Sequence, residues 1–138
     1  INFLDNVEIR NEGLGASCQT LRLRKLSSDG SPSGGASKII ENETIEADYH
    51  DKVSVVAIDD VIPRNRKISI LQLDVEGFEK QALTGATATI RRCLPCLILE
   101  DSKMSDLFAS DWFKEHILSL GYKQTGTLHA NCLFECEK

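Results

Sequence analysis

Apolar and polar positions alternate in some stretches of this chain and recur every three or four residues in others, and the two patterns divide it in two. Val7 to Asn11 reads as a short strand ending at the turn Glu12-Gly13-Leu14-Gly15. Thr20 to Leu26 alternates Leu21, Leu23 and Leu26 with Arg22, Arg24 and Lys25, which predicts a half-exposed strand. Ser27 to Lys38 is rich in Ser and Gly with one Pro, the composition of a loop or hairpin tip. Ile39 to Lys52 is polar and ambiguous. From Val53 the character changes. Val53 to Ile58 is a strand that stops at Asp59-Asp60. Ile68 to Asp74 places apolar groups on both faces, as a central strand of a helix-covered parallel sheet does. Phe78, Ala82 and Ala86 fall four apart, with Leu83 beside them, predicting a helix that Gly85 stops or kinks before a second one from Ala86 to Arg92. Cys96-Leu97-Ile98-Leu99 is a strand ending at Glu100. Ser110 or Asp111 caps a helix to Leu120 with Gly121 in the C′ position, and Tyr122–Thr127 and Cys132–Glu137 close the chain as a strand pair.

The order strand, helix, strand, helix, strand, strand predicts an α/β fold with a mostly parallel sheet and a terminal antiparallel strand. At 138 residues the expected organisation is one domain, with residues 1–52 a strand and variable hairpin region and residues 53–138 the α/β core. The hydrophobic share, 41%, is too high for global disorder, and no apolar run approaches a membrane span. A net charge of −5 argues against nonspecific nucleic-acid binding. Five cysteines make no even disulfide set, so reduced thiols and a cytoplasmic location are expected. In that compartment the sequon Asn42-Glu43-Thr44 goes unused. Ile1 is not an initiator Met and no signal peptide follows, so the chain reads as cut from a longer one.

Three chemistries lack the pattern they need. Gly13-Leu14-Gly15 precedes a strand and has Cys18 where a dinucleotide fingerprint has its third glycine, so it is read as a tight turn. Cys93 and Cys96 have CxxC spacing and Cys132 and Cys136 would complete a zinc set, but they fall at a helix end and in strands rather than on knuckles; buried structural thiols are the preferred reading, with no metal. His50, His116 and His129 lie far apart, and no Gly-x-Ser-x-Gly elbow supports a hydrolase triad. The carboxylates differ. Asp59 and Asp60, then Asp74 and Glu76, then Glu100 end three successive strands, at the sheet edge where open α/β folds bind ligands. Capping of the helices that begin there is the plainer role for the same acids.

The segments Val55–Val61, Ile70–Glu79 (with Leu73-Asp74-Val75-Glu76-Gly77 at its centre), Ala82–Ala86 and Pro95–Glu100 together resemble the FkbM methyltransferase family. The resemblance covers most of the chain and is strongest around Asp74–Glu79. It implies a Rossmann-like class I sheet, S-adenosylmethionine as cofactor, and methylation of a hydroxyl on a sugar or small natural product. Two departures stand out: Gln72 where members commonly have a basic residue, and no counterpart of the amino-terminal strands that bind the cofactor. The chain is therefore expected to be the acceptor-side part of the enzyme, binding S-adenosylmethionine weakly or not at all and inactive alone.

On this reading Asp74 or Glu76 is the catalytic base, and Asp59, Asp60, Gly77 and Glu100 contact the acceptor. A less favoured version has Asp59, Asp74 and Glu76 hold Mg²⁺. The strand at Ile68–Asp74 lacks the first strand it pairs with in the family, so its edge is expected to be covered by another segment or a second copy. The alternative function is a noncatalytic module, a truncated or degenerate homologue that oligomerises or binds a small ligand.

Overall fold

The computed structural model describes residues 6–26, 30–33, 37–40, 50–101 and 106–136. The sequon and parts of the Ser/Gly-rich and polar stretches at 27–29, 34–36 and 41–49 lie outside the described residues, as do residues 1–5, where the chain was read for a signal peptide.

Among the described residues two four-stranded sheets form. The first has the order β1 (Gly13–Leu14), β4 (His50–Val56), β2 (Gln19–Arg24), β3 (Lys38–Ile40). The expected strand at Val7–Asn11 is irregular instead, and only Gly13-Leu14 pairs, in parallel, with Val55 and Val56. β2 and β3 pair antiparallel, Arg22 with Ile40 and Arg24 with Lys38. The second sheet has the order β5 (Ile70–Leu73), β6 (Cys96–Glu100), β8 (Asn131–Cys136), β7 (Tyr122–Leu128).

The expectation of a mostly parallel sheet is corrected. Among the described residues only β1–β4 and β5–β6 run parallel, and the other ladders are antiparallel. The reason is connectivity: parallel neighbours need a crossover, which α2 (Glu79–Thr84) and α3 (Thr87–Cys93) supply between β5 and β6, whereas β7 and β8 join through the two-residue turn at His129-Ala130. A second correction concerns β5, which the apolar residues on both its faces had placed inside a sheet. Among the described residues it lies at the edge, bonded to β6 alone, and Ile70 is 61% exposed.

The two faces of the second sheet are unlike. Leu73, Leu97, Leu99, Cys132 and Phe134 point into one cluster with Ala82, Leu83, Ala86 and Ile90 of α2 and α3, and with Phe113 of α4 (Asp111–His116). Burying each large side chain there contributes roughly 1.5–3 kcal/mol. On the other face Ile70, Gln72, Cys96, Ile98 and Leu133 stay half-buried or exposed.

Ser110 caps α4 as predicted, its Oγ accepting the Phe113 amide at 3.2 Å. The helix stops at His116, however, and a 3₁₀ turn over Leu118–Leu120 carries the chain to Gly121 at φ 93°. Gly85 does separate α2 from α3, but with φ −73° its conformation is open to any residue. Space is what demands glycine here: a Cβ would lie 2.0 Å from the Gly15 carbonyl oxygen and 3.1 Å from the Ala57 Cβ.

Candidate functional site

The chain leaves β5 at Leu73 and turns through Asp74-Val75-Glu76-Gly77 before α2 begins. Glu76 and Gly77 both take the left-handed conformation, at φ 53° and 93°. Glycine adopts it freely, but glutamate does so at a cost of roughly 1–2 kcal/mol. The restraint comes from Glu79, the first residue of α2 and only 1% exposed. Its Oε1 accepts the Val75 and Gly77 amides, each at 3.2 Å, so one buried carboxyl ties down both sides of the strained residue. Asp74 is left exposed and Glu76 half-buried. At Gly77 an added Cβ would meet nothing within 4 Å, so the turn opens onto free space.

Glu100, the last residue of β6, completes the edge. The parallel register pairs Leu73 with Leu99, and one step further brings Asp74 level with Glu100. Burial pushes the Glu100 carboxyl above the ordinary glutamate range, and the charges of Asp74, Glu76 and Glu79 push the same way, while Lys38 of β3 opposes them. Four carboxyls therefore share one end of the β5–β6 pair.

The other acids singled out in the sequence do not join them. Asp59 and Asp60 lie in the one-turn helix α1 (Ile58–Val61) after β4, in the first sheet's connection rather than at the β5–β6 edge. Both oxygens of Asp59 are occupied: they accept the Ala88 and Thr89 amides, each at 2.8 Å, capping α3 from thirty residues away. Asp60 accepts the Cys18 thiol at 3.5 Å. With Asp59 so engaged, the Mg²⁺ set is not assembled, and among the described residues no three His, Cys, Asp or Glu side chains are arranged to hold a metal.

Gly13-Leu14-Gly15 is a packing device. Cβ atoms there would lie 3.3 Å and 2.6 Å from the Val55 side chain, so these glycines face the protein's own interior. Cys93, Cys96 and Cys136 line a cavity of about 610 Å³ with Lys67 and Arg92, at the opposite end of β5 and β6 from the acids. All five cysteines are unbridged, and Cys132 is buried. Two residues of the acid edge escaped the sequence reading. Glu79 carried a usable signal, an acid opening a helix directly after a glycine turn; Lys38 carried none, because it approaches from another sheet.

A family model for the methyltransferase FkbM domain matches residues 10–124. The chain belongs to the FkbM methyltransferase domain family. Among solved structures it is similar to a methyltransferase FkbM from Methylobacillus flagellatus KT, with 20% identity and a TM-score of 0.58. That likeness covers 97% of this chain and 29% of the other, and it supports a shared fold. No curated protein matches. The Asp74–Glu79 block lies inside the matched residues, as do Asp59, Asp60 and Glu100. No helix among the described residues is long and apolar enough to cross a membrane.

Proposed function

We propose that this chain is the acceptor-side part of a methyltransferase that acts on a hydroxyl group of a sugar or small natural product. The observation that carries the reading is the convergence of Asp74, Glu76 and Glu100 at the strand ends of β5 and β6, within the residues of the family match. Transfer to a hydroxyl oxygen requires that its proton leave as the new bond forms. Asp74 or Glu76 accepts that proton: Asp74 is exposed to an incoming acceptor, and the turn conformation held by Glu79 sets the direction of Glu76. Glu100, whose proton affinity is raised by burial and by its neighbours, is suited to receive a hydrogen bond from the acceptor. Gly77 keeps the space above the turn clear.

S-adenosylmethionine is the donor that the family implies. The glycine pair at 13 and 15 packs against Val55 and opens no helix, so it cannot present amides to the cofactor. We assign the donor's binding to residues outside this sequence, in keeping with the chain spanning 29% of the similar solved protein. Isothermal titration of the chain with S-adenosylmethionine should accordingly show weak or no binding. In the intact enzyme Asp74→Asn should lower turnover at least about a hundredfold, the low end for loss of a general base, with donor affinity unchanged. Undiminished turnover would remove Asp74 from the mechanism, and undiminished turnover in Glu76→Gln as well would end the reading.

A further inference from the structure

Among the described residues two buried side-chain atoms have no hydrogen-bond partner, Arg24 Nε and Asn131 Oδ1. The second lies beside the acid edge. Asn131 is the first residue of β8, and the antiparallel register sets it directly opposite Glu100. Directly opposed residues of an antiparallel pair project from the same face, with Cβ atoms roughly 4.5–5.5 Å apart. A buried acceptor without a donor is uncommon in folded proteins and costly to keep. The neighbouring group able to satisfy it is one that carries a hydrogen in only one of its two states: a carboxyl donates an O–H when protonated and only accepts when ionised.

We propose that Asn131 is a positioning residue of the acceptor edge, its Oδ1 accepting the O–H of Glu100 whenever that carboxyl is protonated. The inference rests on the reading of this edge as the acceptor site and adds a place for the proton to be held. The groups facing Glu100 are Asp74 and Glu76 from the β5–α2 turn, Glu79 from α2 and Lys38 from β3. Burial, and after it the three acids, favour the protonated form, and Lys38 opposes it. With its O–H directed to Asn131, protonated Glu100 turns its other oxygen toward the acceptor as a hydrogen-bond acceptor. The β6–β8 pairing thereby sets the carboxyl's orientation.

Carbon-13 NMR titration of the 138-residue chain tests this without any turnover measurement. The Glu100 side-chain carboxyl should titrate above the ordinary glutamate range, and the Asn131 side-chain carbonyl carbon should shift with the same midpoint. Asn131→Leu should move the Glu100 midpoint down. Leucine removes the acceptor while keeping the site dry, and dryness alone would move the midpoint up, so a fall reports the lost hydrogen bond. An unchanged or higher midpoint in Asn131→Leu overturns the proposal, as does a wild-type Asn131 signal indifferent to the Glu100 titration. If the leucine variant does not fold, Glu100→Gln supplies the second reading: a permanent N–H donor at position 100 should abolish the pH dependence of the Asn131 signal, and persistence of that dependence would overturn the assignment. An intact enzyme that is inactive yet shows the coupled titration would sink the transferase reading alone, whereas an active enzyme with uncoupled titrations would sink only this one.

Discussion

Replacing Glu79 should loosen the turn that carries Asp74 and Glu76, and the cost can be worked from its contacts. The side chain is 1% exposed and accepts two backbone amides at 3.2 Å, on either side of a glutamate held at φ 53°. Bonds to a charged acceptor contribute about 1.5–3 kcal/mol each and neutral ones about 0.5–1.5 kcal/mol. At 3.2 Å both are long, so the low end for a charged acceptor, about 1.5 kcal/mol each, is the better figure. Glu79→Leu forfeits both bonds, and any relaxation of Glu76 out of the left-handed conformation returns part of that cost. The expected loss is about 2–3 kcal/mol. Glu79→Gln keeps an oxygen for the two amides and loses only the charge assistance, so it should cost about 1–2 kcal/mol. Urea unfolding followed by the fluorescence of Trp112, the chain's single tryptophan, measures both. Hydrogen exchange should accelerate at the Val75 and Gly77 amides in the leucine variant. A Glu79→Leu protein within about 0.5 kcal/mol of wild type would refute the claim that this carboxyl holds the turn.

Gly85→Ala should destabilise by about 1–3 kcal/mol through overpacking, because its Cβ would meet the Gly15 carbonyl oxygen; Gly126→Ala, with nothing within 4 Å, is the matched control in the same unfolding assay. Asp59→Ala removes the cap from α3 and should cost about 1–2 kcal/mol, yet leave the Glu100 titration where it is, since Asp59 is absent from the groups acting on Glu100. The fourth expectation concerns pH. Glu100 titrates higher in the folded chain than in the unfolded one, so its contribution to stability is complete below the unfolded midpoint and is lost as pH rises through the folded midpoint. Glu100→Gln should therefore gain stability relative to wild type on going from acid to neutral pH; a difference that does not change with pH in parallel denaturation curves would contradict this.

Local pattern made several elements legible. The alternation of Leu21 and Leu23 with Arg22 and Arg24 appears as β2, the four-residue spacing of Phe78, Ala82 and Ala86 as α2 and the start of α3, and Ser110 as a cap. The family resemblance, carried by four segments and strongest in the Asp-Val-Glu-Gly-Phe-Glu block, was legible because a strand end, a turn and a helix start are encoded by neighbours in sequence. What periodicity leaves open is who the neighbours in space are. Apolar residues on both sides of β5 specify a strand able to be buried, but hydrogen-bond partners come from other segments, and among the described residues β6 alone provides them.

The division within the site follows the same physics. Asp74 and Glu76 were visible because they sit two residues apart beside a glycine, and Glu100 because it ends an apolar run. Asp59 looked equivalent to them, and only folding sent its two oxygens to the α3 amides, across a distance no local pattern spans. Asn131 had no mark in the sequence at all; the β6–β8 register decides that it faces Glu100. Residue types and turns are written in short-range order, whereas the pairing that gathers carboxyls, removes them from water and raises their proton affinity exists only once separate strands meet.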